Sequence, residues 1–297
     1  MSTLSFQSLT KRYGEVTALD GLTAEVAPGR ITAFLGANGS GKTTSMRLLL
    51  GLSRPDAGIA TIGGAPYVDL KHPTRKVGSV LDQGFHPNRS ARNHLRVLAM
   101  QAEVPPTRVE EVLDLVGLTS VGGRRVGGFS LGMRQRLALA SALVGDPAVL
   151  VMDEPFNGLD PAGIATMRTF LRKFADDGGT VFLSSHLLAE VAHSADDAIV
   201  IHRGRLVSAG PVSDLSGGAA GVVVSTTDAD LLAVTLARRG ATVERTRAET
   251  LTVRGLTREA VGRAAAELGA VVTDMHGVED DLESVFADLI NHQEATS

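Results

Sequence analysis

The chain has 297 residues, room for two domains, and with 43% hydrophobic and 21% charged residues its composition is globular and excludes a disordered chain. Cysteine is absent, which excludes a disulfide framework and any thiolate metal site and is compatible with the cytosol. The formal net charge of -4 is uneven: from residue 219 onward 13 acidic residues stand against 7 arginines and no lysine, so the C-terminal part is a poor surface for nucleic acid.

Alternating apolar and polar residues at Leu4 and Phe6, and again over 22–26, predict antiparallel strands at the start of the chain. The first 20 residues lack the basic-then-apolar order of a secretion signal. No apolar run reaches the roughly 18 to 20 residues that cross a bilayer, so the chain is expected to be soluble. Next comes "ITAFLG", a short buried-strand pattern, and after it "KTTSMRLLLGL", which has the composition of a helix.

Between them lies the run Gly36, Ala37, Asn38, Gly39, Ser40, Gly41, Lys42, Thr43 and Thr44. Its Gly-x4-Gly-Lys-Thr spacing is the phosphate-loop pattern, in which glycines let backbone N–H groups close around α- and β-phosphates. Lys42 is expected to reach the γ-phosphate, Thr43 to offer its hydroxyl to Mg²⁺, and the helix start to favour an anion. The expected ligand is a nucleoside triphosphate with Mg²⁺.

Further strands are predicted over 77–81, 149–152, 180–184 and 198–201, separated by helical patterning, which reads as a parallel α/β sheet. A helical insertion over about 86–146 interrupts it, with helices over 90–103 and 108–116. "AGPVSDLSGG", residues 209–218, concentrates Pro, Gly and Ser and marks the way out of a first domain spanning 1–215. Residues 219–297 read as β-α-β-β-α-β, a small ferredoxin-like α+β sandwich. Leu282, Val285, Phe286 and Leu289 form one apolar helical stripe near the end, expected to dock.

"VLVMDEP" is a buried strand ending in two carboxylates. Ligands gather at the C-terminal strand ends of a parallel sheet, so Asp153 and Glu154 are expected beside the phosphates. Adjacent residues on an extended chain point to opposite sides; Asp153 then suits Mg²⁺ and Glu154 suits activation of water as general base. Those two motifs leave kinases, GTPases and motor ATPases open.

"GGFSLGMRQRLALASAL" narrows the choice. Phe129-Ser130-Leu131-Gly132-Met133 resembles the Leu-Ser-Gly-Gly-Gln signature of the ATP-binding cassette family, followed by a similar Arg-Gln-Arg run. Leu131 and Met133 depart from the commonest signature, while the serine and second glycine are kept. Ser130 is a good N-cap, and Met133, Leu137, Ala140 and Val144 give the following helix an apolar face. The resemblance implies a P-loop cassette ATPase fold: a RecA-like core, an antiparallel β subdomain and a helical subdomain.

It also implies roles for single residues. Tyr13 matches the aromatic that stacks on adenine, and Gln83 the glutamine that senses Mg²⁺ and attacking water. Ser130 and Gly132 match the groups that meet phosphate across a dimer. Asp160 in "NGLD" matches the loop coupling two sites, and His186 in "FLSSHLL" the histidine that contacts the γ-phosphate. The ending "DDLESVFADLI" resembles ATPase subunits of ABC-2 type exporters with separate membrane subunits.

The expected activity is therefore ATP hydrolysis that drives export, with drug or antimicrobial-peptide efflux as the usual role of that type. The implied partners are a second copy of the chain and polytopic membrane permease subunits, with no nucleic acid. The implied location is the cytoplasmic face of the cell membrane. A soluble cassette ATPase acting on a non-membrane partner is the alternative, and a small-molecule phosphotransferase would not need the signature segment.

Overall fold

The computed structural model describes residues 2–81, 84–186, 191, 194–216 and 221–278. The chain divides into two compact units, Met1–Gly210 and Pro211–Ser297.

The first unit begins with β1 (Leu4–Tyr13) and β2 (Val16–Val26), an antiparallel hairpin, followed by β3 (Ile31–Leu35) and α1 (Lys42–Leu49). Next come β4 (Ala57–Ile62), α2 (Pro73–Lys76), β5 (Val77–Val80), α3 (Ala91–Gln101), α4 (Thr107–Leu115) and α5 (Leu131–Leu143). Then follow β6 (Val149–Met152), α6 (Pro161–Asp176), β7 (Thr180–Ser185), β8 (Asp197–His202) and β9 (Arg205–Pro211). Three strands form a sheet in the order β2-β1-β4, and six form a second in the order β5-β6-β7-β3-β8-β9.

β3, β6 and β7 are buried along their whole length, as parallel strands covered on both faces must be, and this is why their sequences are nearly continuous apolar runs. The pairs β5/β6, β6/β7, β7/β3 and β3/β8 are all parallel. One core joins the two sheets to α1: Phe6 of β1 stacks on Phe34 of β3 at 6.3 Å, and Phe182 of β7 lies 5.1 Å from Phe34, with Met46 and Leu49 in the same cluster. Aromatic burial of that kind dominates core energetics.

β4 was not expected from the sequence. Gly58 has φ +77°, and a Cβ there would lie 2.3 Å from the Ser8 carbonyl oxygen, so this glycine lets the chain approach a bulged stretch of β1 instead of forming a free loop.

The helical insertion consists of α3, capped by Ser90, whose hydroxyl accepts from Asn93 N–H at 3.3 Å, together with α4 and α5. α5 is buried on more than the one face its sequence suggests, with Leu137, Ala138, Leu139, Ala140, Ala142 and Leu143 all inside, because it packs against α3 and α4 as well as β5.

The second unit holds α7 (Val212–Ser216), β10 (Gly221–Thr226), α8 (Ala229–Arg238), β11 (Thr242–Arg247), β12 (Thr250–Arg254), α9 (Arg258–Glu267) and β13 (Val272–Val278). Its sheet runs β11-β12-β10-β13 with antiparallel pairs throughout, the ferredoxin-like order. Val222, Val224, Leu232, Leu236, Leu251, Val253 and Val261 form its core. The apolar stripe from Leu282 to Leu289 lies outside the described residues.

Candidate functional site: a phosphate loop and two carboxylates at the strand ends

The parallel register builds the site. Phe34 of β3 and Met152 of β6 both flank β7, paired with Ser184 and Leu183 respectively. Consequently the loop after β3, the carboxylates after β6 and His186 after β7 all emerge at one edge of the sheet.

The phosphate loop turns through Gly39 at φ +81° and Gly41 at φ +110°, conformations that glycine adopts without a Cβ penalty. Close packing adds to the demand: a Cβ on Gly36 would lie 2.3 Å from Ser40 Oγ, and one on Gly41 2.7 Å from the Ala18 carbonyl. Ser40 Oγ is buried with no hydrogen-bond partner. Asn38, Gly39, Gly41, Lys42, Thr43, Thr44, Ala18 and Glu154 line a cavity of about 210 Å³. Of these only Ala18 was not foreseen; nothing in its local sequence marks it, since the β1–β2 hairpin brings it there.

Lys42 Nζ donates to the Gly36 carbonyl at 2.6 Å and the Ala37 carbonyl at 3.3 Å, and lies 3.8 Å from Glu154 Oε1. Burial lowers its pKa below the ordinary lysine value, with Glu154 and Asp153 pulling in the opposite direction. The Thr43 hydroxyl donates to Asp153 Oδ2 at 2.7 Å. This hydroxyl and carboxylate beside a phosphate loop are the hard oxygen donors Mg²⁺ takes, so the residues fit that ion. Among the described residues no cluster of three or more His, Cys, Asp or Glu could hold a metal.

Asp153 and Glu154 do not continue the strand as the sequence suggested. Glu154 has φ +49°, and both carboxylates meet loop residues: Asp153 reaches Thr43, and Glu154, after this left-handed turn, reaches Lys42 and His186, whose Nδ1 lies 2.8 Å from Glu154 Oε2. Ser184, missed by the sequence reading, lies between them; its Oγ donates to Asp153 Oδ1 at 2.5 Å and accepts from Glu154 N–H at 2.8 Å. The available signal was a polar residue at the end of an otherwise buried strand.

The remaining predicted residues lie elsewhere. Ser130 caps α5, its hydroxyl accepting from Met133 N–H at 3.2 Å, and Asp160 caps α6, its carboxylate accepting from Gly163 N–H at 2.9 Å. Ser130, Gly132 and Asp160 together line a second cavity of about 770 Å³, which shares no lining residue with the first. Gln135 Nε2 donates to the Asn157 carbonyl at 2.9 Å, tying α5 to the segment that leads to Asp160. Tyr13, half exposed at the end of β1 with Lys11 Nζ 5.4 Å from its ring centroid, is not among the residues lining the phosphate cavity. Gln83 lies outside the described residues.

Comparison with known proteins agrees with this geometry. The family described as ABC transporter matches residues 19–157, and one described as a domain of unknown function matches 220–283. The chain is 40% identical over 213 residues to the bacitracin transport ATP-binding protein BcrA of Enterococcus faecalis, covering 70% of this chain and 69% of that protein. It is 36% identical over 205 residues to the lantibiotic transport ATP-binding protein SrtF of Streptococcus pyogenes, covering 69% and 89%. A solved ATP-binding subunit of an ABC transporter superposes with a TM-score of 0.66 at 27% identity, covering 71% of this chain and 91% of that one. The chain belongs to the ATP-binding subunits of the ABC transporter family, ATPases that power transport.

Proposed function

We propose that two copies of this chain close over two MgATP at the cytoplasmic face of the membrane and drive an ABC-2 type exporter of drugs or antimicrobial peptides. The observation that carries the dimer is the split of the nucleotide-binding residues over two cavities of one chain. One cavity holds the phosphate loop and Glu154; the other holds the cap of α5. A two-fold axis that sets each against its counterpart makes two complete sites. The bacitracin and lantibiotic relatives support peptide export. No helix among the described residues is long and apolar enough to cross a membrane, so separate permease subunits supply the path.

In each site the phosphate-loop N–H groups and Lys42 hold the triphosphate, and Tyr13 takes the adenine. Thr43 and Asp153, with Gln83, hold Mg²⁺, which supplies charge neutralisation of the phosphate oxygens. Glu154 accepts a proton from water as the water oxygen attacks the γ-phosphorus. The bond to the β–γ bridging oxygen breaks, and ADP carries away that electron pair. His186 orients Glu154 and meets the γ-phosphate. Ser130 and Gly132 of the second copy meet the same phosphate, so ATP favours the closed pair and ADP does not.

The test is co-expression with a polytopic permease of the same type, followed by transport of bacitracin or a lantibiotic added outside inverted vesicles. ATP-dependent peptide uptake that is lost with Glu154→Gln supports the reading; hydrolysis that never moves peptide in any permease pairing removes the export assignment.

A further inference from the structure

We infer that Ser184 is a positioning residue for hydrolysis: its single hydroxyl sets the metal-binding carboxylate of Asp153 and the backbone of Glu154 at the same time. The inference rests on the roles proposed above for Asp153 and Glu154. Ser184 is fully buried, near the C-terminal end of β7, and the register of Met152 with Leu183 brings the residue after β6 level with it. Its O–H donates to Asp153 Oδ1 at 2.5 Å, the length of a charge-assisted bond. The other carboxylate oxygen of Asp153 accepts from Thr43 at 2.7 Å. Two hydroxyls on two oxygens fix the plane of the carboxylate.

The same Ser184 oxygen accepts from Glu154 N–H at 2.8 Å. Glu154 is a non-glycine residue at φ +49°, a conformation that persists only where the surroundings hold it. That turn keeps Glu154 within 2.8 Å of His186 and 3.8 Å of Lys42. Without the Ser184 oxygen its N–H loses this partner in a part-buried setting, and the backbone gains by relaxing toward the extended form. A relaxed Glu154 still lies near ATP but no longer aims at the water. Binding of nucleotide through the loop is expected to be untouched, because the two bonds of the Ser184 hydroxyl go to Asp153 and Glu154 and not to residues 36–44.

The test uses the purified full chain with Ser184→Ala, Ser184→Cys and Ser184→Thr, read by steady-state ATPase kinetics and by electron paramagnetic resonance of Mn²⁺ bound with ATP. Ser184→Ala is expected to lower kcat by about 10- to 100-fold, as loss of an outer-shell partner does, and to weaken Mn²⁺ binding by about 10-fold. KM for ATP and the affinity for trinitrophenyl-ATP in EDTA are expected to stay within about twofold. Ser184→Thr, which keeps the hydroxyl, is expected to recover most of kcat. A folded Ser184→Ala with parental kcat and Mn²⁺ affinity overturns the inference. If alanine prevents folding, the near-isosteric Ser184→Cys decides: parental kcat there overturns it equally. Full turnover by Glu154→Gln sinks the parent assignment instead, whereas an inactive Glu154→Gln beside a fully active Ser184→Ala sinks this inference alone.

Discussion

His186 Nδ1 and Glu154 Oε2 lie 2.8 Å apart, joined across the ends of two adjacent strands although 32 residues separate them in the chain. The contact gives the carboxylate a fixed direction before nucleotide arrives, and general bases act only when positioned against the proton they take. Glu154→Gln keeps the size of the side chain and removes the basic oxygen. Turnover is expected to fall by about 10²- to 10⁴-fold while ATP stays bound and the chain elutes as a dimer in size exclusion with ATP, but not with ADP. His186→Ala is expected to lower kcat with little change in ATP affinity; a parental kcat removes His186 from the site.

The two cavities make a prediction that needs no structure of the dimer. Lys42→Ala spoils the phosphate loop and Ser130→Arg fills the start of α5, so each homodimer has two spoiled sites. Mixed in equal amounts, half of the pairs hold one intact site, and activity of roughly a quarter of the parent is expected to return. Absence of any recovery argues that each nucleotide is held within one chain.

Lys42 carries a pH signature. Burial holds its pKa below the ordinary lysine value, ahead of the opposing pull of Glu154 and Asp153. The nucleotide-free folded chain thus holds this proton less tightly than the unfolded chain, and its stability rises as pH climbs from the lowered pKa toward the ordinary one. A triphosphate beside Nζ restores the proton, so ATP binding at a pH between the lowered pKa and the ordinary lysine value is expected to take up protons. Calorimetry in buffers of different ionisation heat measures this. Lys42→Ala is expected to bind ATP more weakly and to show no such uptake.

Gly41 has φ +110°, and a Cβ there would meet the Ala18 carbonyl and Leu19 Cδ2, each at 2.7 Å. Gly41→Ala is expected to cost about 1 to 3 kcal/mol, seen as a lower melting temperature, and to weaken ATP binding by displacing the start of α1. A variant as stable as the parent and as tight for ATP contradicts the strained geometry.

The sequence by itself determined the local pieces. Gly-x4-Gly-Lys-Thr fixed where backbone N–H groups converge, the apolar runs at 31–35 and 149–152 fixed the central strands, and Ser130 was legible as a helix cap, because backbone conformation and capping depend on neighbours a few residues away. The β-α-β-β-α-β pattern read over residues 219–297 likewise predicted the ferredoxin-like strand order seen in the described residues 221–278. Only the tertiary structure decided which side chains meet. The left-handed turn at Glu154, its contact with His186, the hydroxyl of Ser184 between both carboxylates and the arrival of Ala18 at the loop all depend on strand register across 30 residues or on a distant hairpin. Parallel strands exchange hydrogen bonds between segments remote in the chain, and no local pattern records which residue ends opposite which.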